Sequence, residues 1–260
     1  MKTQQSIGGG RFSVEMFTYG SGEPLLFLHG AGGLFEPNPA LEELGRDFKV
    51  IAPHLPGFGE STGAEPIDDV IDAALFYHQL MDDLHLDSAY VVGESLGGML
   101  AAELAALDVH RARKLVLVAP AGFWLDQHPI PDFFATDPKE LPALLFHDPA
   151  GPLAQMMMKM PEDREQMAEM YVERVKRMTM AGKFLWPIPD RGLKKRAYRI
   201  AAPTLLVCGA SDRLIPPVYA NEFKRHIKNC TEVVIPEAGH AVALEQTQKF
   251  CAAVKRFLKE

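Results

Sequence analysis

Six short apolar runs constrain this chain most: PLLFLHG, KVIAPHLPG, AYVVGES, KLVLVAP, PTLLVCG and TEVVIP. They are continuous rather than alternating in hydrophobicity, as expected of strands covered on both faces. Between several of them the spacing predicts helices, over Pro39 to Phe48, Ile67 to Leu86, Leu96 to Leu107, Pro217 to Ile227 and Gln246 to Leu258. Strand, helix and strand in succession predict an α/β fold, a mostly parallel sheet flanked by helices.

Residues 123–200 break this rhythm. The proline-punctuated DQHPIPDFFATDPKELPALLFHDPAGP leads into a methionine-rich helical segment and then FLWPIPDRGLKKRAYRI, and a strand pattern resumes only at Pro203. The organisation expected is one core domain, residues 1–122 and 201–260, with a helical insertion, residues 123–200, lying over the sheet. With 47% hydrophobic residues in 260, the chain can bury a core of that size.

In YVVGESLGGMLAAELAAL, Ser95 follows one strand pattern and precedes a helix pattern, with Gly93, Gly97 and Gly98 around it. A G-x-S-x-G turn in a strand-turn-helix setting pushes a hydroxyl out of a strained turn, and the glycines remove Cβ atoms that would collide. The helix beginning after the serine aims N–H groups and its positive end at any oxyanion formed there. By itself the motif is common, and the same glycines also suit close helix packing.

A serine hydroxyl needs a base, and the base an orienting acceptor. Of nine histidines, His240 in VIPEAGHAVALE stands just past the last strand, at the sheet edge shared with Ser95. The others fall in predicted helices, at their ends, in the insertion or in core loops, where packing and surface roles suffice. Asp212 in LLVCGASDRLIPP follows the penultimate strand; a carboxylate there also suits a turn or helix cap. Asp126 and Asp132 are the alternative acids. The loop FLHGAGG and the start of the helix after Ser95 offer two oxyanion donors, the backbone amides of Ala31 and Leu96. His29 in that loop reads as a structural residue that bonds the loop.

HGAGG, LPGFGES, GESLGG, GASDRLIPP and EAGH, in this order and in these settings, resemble the α/β-hydrolase superfamily, over nearly the whole chain outside the insertion. The resemblance implies about eight strands, a Ser95–Asp212–His240 triad and a helical cap over the pocket. A serine rather than an aspartate at position 95 argues against epoxide hydrolase and haloalkane dehalogenase chemistry. Hydrolases of aromatic ring-fission products, which cleave carbon–carbon bonds, resemble this chain too, but typically carry asparagine before the nucleophile and tryptophan after the histidine. Here those positions are Glu94 and Ala241.

The function expected is hydrolysis of a carboxylic ester of a small, largely apolar substrate through an acyl-enzyme. The alternatives are carbon–carbon hydrolysis and a non-catalytic ligand-binding scaffold. Eight of the twelve methionines lie between Met156 and Met180; such flexible side chains suit ordinary packing as well as an adaptable apolar pocket, and with Phe133, Phe134, Phe146, Phe184 and Trp186 nearby in sequence they point to an apolar acyl or alcohol site. Substrate contacts are expected from Gly30, Gly32, Phe35, Met157 and Trp186, with Phe58 a further candidate. The basic run at Arg191, Lys194, Lys195, Arg196 and Arg199 reads as a solvated face or as an attractor for a substrate carboxylate. A net charge of −7 disfavours nucleic acid and anionic membrane as partners. Three scattered cysteines without a C-x-x-C pair read as free thiols, and no apolar leader or span is evident, so a cytoplasmic protein is expected. The mechanism calls for no metal and no organic cofactor.

Overall fold

The computed structural model describes residues 1–188 and 190–260. Their eight strands are β1 (Lys2–Ile7), β2 (Phe12–Tyr19), β3 (Pro24–Leu28), β4 (Lys49–Pro53), β5 (Ala89–Glu94), β6 (Ala112–Val118), β7 (Thr204–Gly209) and β8 (Cys230–Ile235). They form one sheet in the order β1-β2-β4-β3-β5-β6-β7-β8. From β4 to β8 all pairs are parallel, while β2 runs antiparallel to β1 and β4. Helices α1 (Pro39–Leu44), α2 (Val70–Asp83) and α3 (Leu96–Leu107) fall within the first half. The segment between β6 and β7 holds α4 (Leu141–Leu145), α5 (Pro152–Met157) and α6 (Arg164–Leu185), and α7 (Ala220–His226), α8 (Val242–Glu245) and α9 (Thr247–Lys259) complete the core.

Why the central strands read as unbroken apolar runs is visible in the packing. Successive side chains of one strand enter opposite layers: Leu26, Val91, Leu115 and Leu206 pack in one core, and Leu25, Val92, Val116 and Leu205 in the other. The sequence patterns for these six strands and for the helices around them hold: most ends are shorter, α3 has the expected bounds, α9 runs one residue further to Lys259, and a 3₁₀ turn, Pro217–Tyr219, leads into α7. Helix α2 starts at Val70 rather than Ile67 because the Asp69 carboxylate caps it, accepting from the Ile71 and Asp72 amides at 2.7 and 3.0 Å.

Strands β1 and β2 lie outside the six apolar runs. In KTQQSI exposed and partly buried residues alternate, the mark of an edge strand half-facing water. It is registered against β2 from Lys2↔Phe17 to Ile7↔Phe12.

The ends of the inserted segment are part of the core. The buried Phe123 meets Phe223 edge-on at 4.5 Å, and Leu193, Ala197 and Ile200 are buried in the same cluster as α3. A carboxylate–guanidinium pair fastens this return: Glu103, fully buried on α3, accepts from Arg196 Nε and Nη2, both at 2.6 Å. Two members of the basic run are thereby structural, since Arg199 Nε also donates to the Ala106 carbonyl at 2.7 Å.

Candidate active site

Parallel pairing brings the carboxyl ends of five strands to one edge. Leu28 of β3 lies beside Gly93 of β5, Glu94 beside Val118 of β6, Val118 beside Val207 of β7, and Gly209 at the end of β7 beside Ile235 of β8. The chain leaves β3 for β4 on one side, and β5 lies on the other. Such a switch point opens a crevice at the carboxyl edge of the sheet.

Ser95 stands in the turn between β5 and α3 with φ 55° and ψ −114°, a left-handed backbone that side-chain-bearing residues seldom adopt. The neighbouring glycines allow it by close approach. A Cβ on Gly97 would lie 2.1 Å from the Leu28 carbonyl oxygen, and one on Gly93 would lie 2.3 Å from the Gly97 carbonyl oxygen.

Ser95 Oγ donates to His240 Nε2 at 2.9 Å, and His240 Nδ1 donates to Asp212 Oδ2 at 2.9 Å. Asp212 Oδ1 accepts from the Leu214 and Ile215 amides at 2.9 and 2.8 Å, so Asp212 is both a turn cap and the acceptor for the imidazole. His240 and Asp212 are buried. Burial opposes protonation of His240, but the charge and hydrogen bond of Asp212 outweigh it, helped by the charge of Glu94, and raise the imidazole above its ordinary 6.5. A base in contact with a hydroxyl and oriented by a carboxylate has the arrangement that activates a nucleophile. The alternative acids serve elsewhere: Asp126 accepts from Trp124 Nε1, and Asp132 caps its own turn through the Phe134 and Ala135 amides.

The loop after β3 is held from the core by two neutral histidines. His29 Nδ1 donates to the Gly30 carbonyl at 2.7 Å, and His29 Nε2 accepts from the Leu55 amide at 3.1 Å. Burial above all, with His54 nearby, pushes His29 down to about 3. This fits the loop-bonding role expected of it. His54 Nε2 accepts from the Leu34 amide at 3.0 Å, while its Nδ1 donates to the buried carboxylate of Glu15 at 2.5 Å. Sequence reasoning missed the Glu15–His54 pair, because its partners come from β2 and the end of β4. Neither the Ala31 nor the Leu96 amide is donated to a protein acceptor among the described residues.

A cavity of about 200 Å³ opens over Ser95 and His240. Of the residues singled out in the sequence, Gly30, Ala31, Gly32, Phe35 and Met157 line it, whereas the Leu96 side chain is buried and outside the wall. Trp186 is a correction. Helix α6 ends at Leu185, whose side chain lines the cavity, and the backbone then turns extended, leaving Trp186 52% exposed and outside the wall. Phe58 is likewise not in the wall, being fully buried against His29 with ring centroids 4.7 Å apart.

The methionine cluster also divides. Of its members only Met157 lines the cavity; Met156 and Met160 are exposed, and Met180 packs over Gly57. Of the aromatic residues near the cluster in sequence, Phe133, Phe134 and Phe146 line the cavity and Phe184 is fully buried outside it, while Ile130, Ile188 and Leu244 add to the apolar wall.

Two ionisable groups break that wall. Glu94, before the nucleophile, has its carboxyl raised above the ordinary range by burial, against the opposing pull of His240. Arg191 is the one member of the basic run that reaches the cavity, with Nη1 and Nη2 on the carbonyls of Trp186 and Lys183 at 3.0 and 3.2 Å.

Residues 23–247 match the family described as the alpha/beta hydrolase fold. The chain is a member of that family. Among its relatives it is 30% identical over 273 residues to the dihydrolipoyllysine-residue acetyltransferase component of the acetoin cleaving system of Pseudomonas putida, covering 99% of this chain and 69% of the relative. It is 29% identical over 259 residues to lipase 1 of Psychrobacter immobilis, covering 91% and 77%. A third relative, the 2-hydroxy-6-oxo-2,4-heptadienoate hydrolase of Pseudomonas putida, is 28% identical over 268 residues, covering 96% and 94%. Family and relatives together support hydrolase activity in this α/β-hydrolase. Among its described residues no helix is long and apolar enough to cross a membrane.

Proposed function

We propose that this α/β-hydrolase cleaves carboxylic esters of small, largely apolar substrates through a Ser95 acyl-enzyme. The observation that carries the reading is the unbroken hydrogen-bond chain from Ser95 Oγ through His240 to Asp212, opening into an apolar cavity. Ser95 Oγ bonds to the ester carbonyl carbon as its proton passes to His240 Nε2. Asp212 orients the imidazole and stabilises the imidazolium. The negative charge that develops on the carbonyl oxygen is met by the Ala31 and Leu96 amides, which have no competing protein acceptor among the described residues.

Collapse of the tetrahedral species breaks the bond to the alkoxy oxygen, which leaves as an alcohol with the proton from His240. Water then attacks the acyl carbon, losing its proton to His240, and Ser95 departs with that proton restored. The segment carrying α4 to α6 acts as the cap that supplies the apolar wall.

A second reading is carbon–carbon hydrolysis of an acidic dienoate, and Arg191 on the cavity wall is the observation that favours it. A carboxylate would find a cation there. Lys195 and Arg196, the other candidates for that task, are exposed and paired with Glu103 respectively. Against this reading stand Glu94 and Ala241 at the positions where the resembling carbon–carbon hydrolases carry asparagine and tryptophan.

The test is steady-state turnover of a chain-length series of nitrophenyl esters and of a vinylogous dienoate, by the wild type and by Ser95→Ala and Arg191→Gln. Turnover of short esters, lost in Ser95→Ala and kept in Arg191→Gln, is the expected result. Dienoate cleavage that far exceeds ester turnover, with KM raised in Arg191→Gln, would favour the second reading. Fluorophosphonate-inert Ser95 with no turnover of either substrate class would favour a binding scaffold.

A further inference from the structure

We propose that Arg177, on helix α6, is a positioning residue for the oxyanion loop, so that docking of the cap helix and alignment of the Ala31 amide are one event. The inference rests on the hydrolase reading above and goes beyond it by naming a cap residue that sets the geometry of the core site.

Residues 30–33 carry almost no side chains, in the order Gly-Ala-Gly-Gly. A backbone with so few Cβ atoms has many accessible conformations. Its shape therefore depends on bonds to its carbonyls and amides. From the core, the Gly30 carbonyl accepts from His29 Nδ1 at 2.7 Å and from the Gly33 amide at 3.0 Å, and the Leu34 amide is held by His54. These bonds fix the two ends of the turn.

The peptide between them is held from the other side. Arg177 Nη1 donates to the Gly32 carbonyl at 2.8 Å, and no other donor to that oxygen occurs among the described residues. The side chain is itself fixed, because Nε bonds back to the Glu173 carbonyl at 3.2 Å. Its stem lies along the loop, with Cδ 3.5 Å from where a Cβ on Gly33 would stand, and Gly33 has φ +78°. The Ala31 N–H lies two peptides before the one whose carbonyl Arg177 holds. The Gly32–Gly33 peptide is thus held at both ends, by Arg177 on its carbonyl and by the Gly30 carbonyl on its N–H, and without Arg177 a single bond within the loop is left to resist the rotation that would disturb the turn aiming the Ala31 N–H.

One face of α6 is fastened to neighbouring core loops in the same manner. Lys176 Nζ donates to the Gly59 carbonyl at 2.7 Å, Met180 packs over Gly57, and Lys183 Nζ donates to the Ile67 carbonyl at 3.0 Å. Spacings of three and four residues put these side chains on one stripe. Arg177 differs from them in its target. The others hold the loop after β4, whereas Arg177 alone of the four reaches the loop after β3.

The experiment compares wild type, Arg177→Ala, Arg177→Lys and Lys176→Ala. Two readouts are taken: the second-order rate of Ser95 modification by a small alkyl fluorophosphonate, followed by intact mass, and kcat and KM on nitrophenyl acetate. Deleting a donor to an oxyanion costs about 10²–10³ in kcat elsewhere; misaiming one is expected to cost about tenfold or more in Arg177→Ala, in both the modification rate and kcat, with KM changed little. Arg177→Lys, which keeps a cationic donor, should recover most of the loss, and Lys176→Ala should match wild type.

Wild-type rates in Arg177→Ala, a loss confined to KM, or an equal loss in Lys176→Ala would each overturn the inference. If Arg177→Ala does not fold, Arg177→Gln replaces it, with a loss larger than that of Arg177→Lys expected and wild-type rates contradicting. A wild type inert toward the fluorophosphonate would overturn the hydrolase reading itself. A reactive wild type equalled by Arg177→Ala would overturn only the role of Arg177.

Discussion

The loops at the carboxyl edge of the sheet and the helical segment above them do complementary things by different physics. Around Ser95 the geometry is made by backbone: a left-handed serine, glycines in close approach to carbonyls, and the Ala31 and Leu96 amides without a protein acceptor among the described residues. Over the cavity it is made by side chains that meet only after the chain has folded, such as Ile130 before α4, Leu185 at the end of α6 and Leu244 on α8. A site built of backbone leaves a local signature in sequence. One assembled from distant side chains does not, and tolerates more exchange of residues for the same reason.

The sharpest way to break the first half of this contrast is Asp212→Asn. An amide in place of the carboxylate removes the charge that orients His240, and a loss of about 10⁴ in kcat is expected by analogy with other triads. The pH profile supplies a second readout. His240 must be neutral to accept the serine proton, and its pKa is raised above 6.5, so the acid limb of kcat/KM should have its midpoint above 6.5 in the wild type. Without Asp212 the remaining effect of burial lowers the pKa, and the limb should move to lower pH. A limb that stays in position would mean that another group titrates there.

A smaller effect, on stability, tests whether the return of the inserted segment belongs to the core. Arg196→Met leaves the fully buried Glu103 without its partner, and loss of one member of a buried pair costs about 3–5 kcal/mol; the lower end is expected because Arg196 is partly exposed. Denaturant unfolding measures it. No change in midpoint would show that the segment unfolds independently of α3.

The smallest effects compare two adjacent residues at the end of α6. Leu185 lines the cavity and Trp186 does not. Leu185→Ala should shift preference toward longer acyl chains, by about tenfold in relative kcat/KM, since a methylene in an apolar pocket is worth roughly 1–3 kcal/mol. Trp186→Ala should leave the preference within about twofold and stability within about 0.5 kcal/mol, as for an ordinary surface position. Equal effects at the two positions would erase the distinction between wall and exterior.

How much was legible follows the same division. The six central strands could be read because burial on both faces leaves continuous apolar runs, and Ser95, Asp212 and His240 because each directly follows such a run at one sheet edge. Strand β1 escaped because the alternating, polar KTQQSI carries the weaker pattern of a sheet edge, and β2 because Ser13, Glu15 and Thr18 interrupt the apolar residues of FSVEMFTY. In the basic run, Arg191 borders the cavity with its guanidinium on two backbone carbonyls, Arg196 pairs with a core carboxylate and Lys195 is exposed, and nothing in their shared charge separates them. Among the methionines, helical spacing alone does not tell that Met157 at the end of α5 reaches the site while its neighbour Met156 projects into water.

The most direct test of the central claim is rapid-quench mass spectrometry of the first turnover with a short nitrophenyl ester, followed by peptide mapping. The account expects the acyl group on the peptide containing Ser95, formed together with about one equivalent of nitrophenol per active enzyme. Ester hydrolysis that proceeds at full rate in Ser95→Ala, with that peptide unmodified in the wild type, would contradict it.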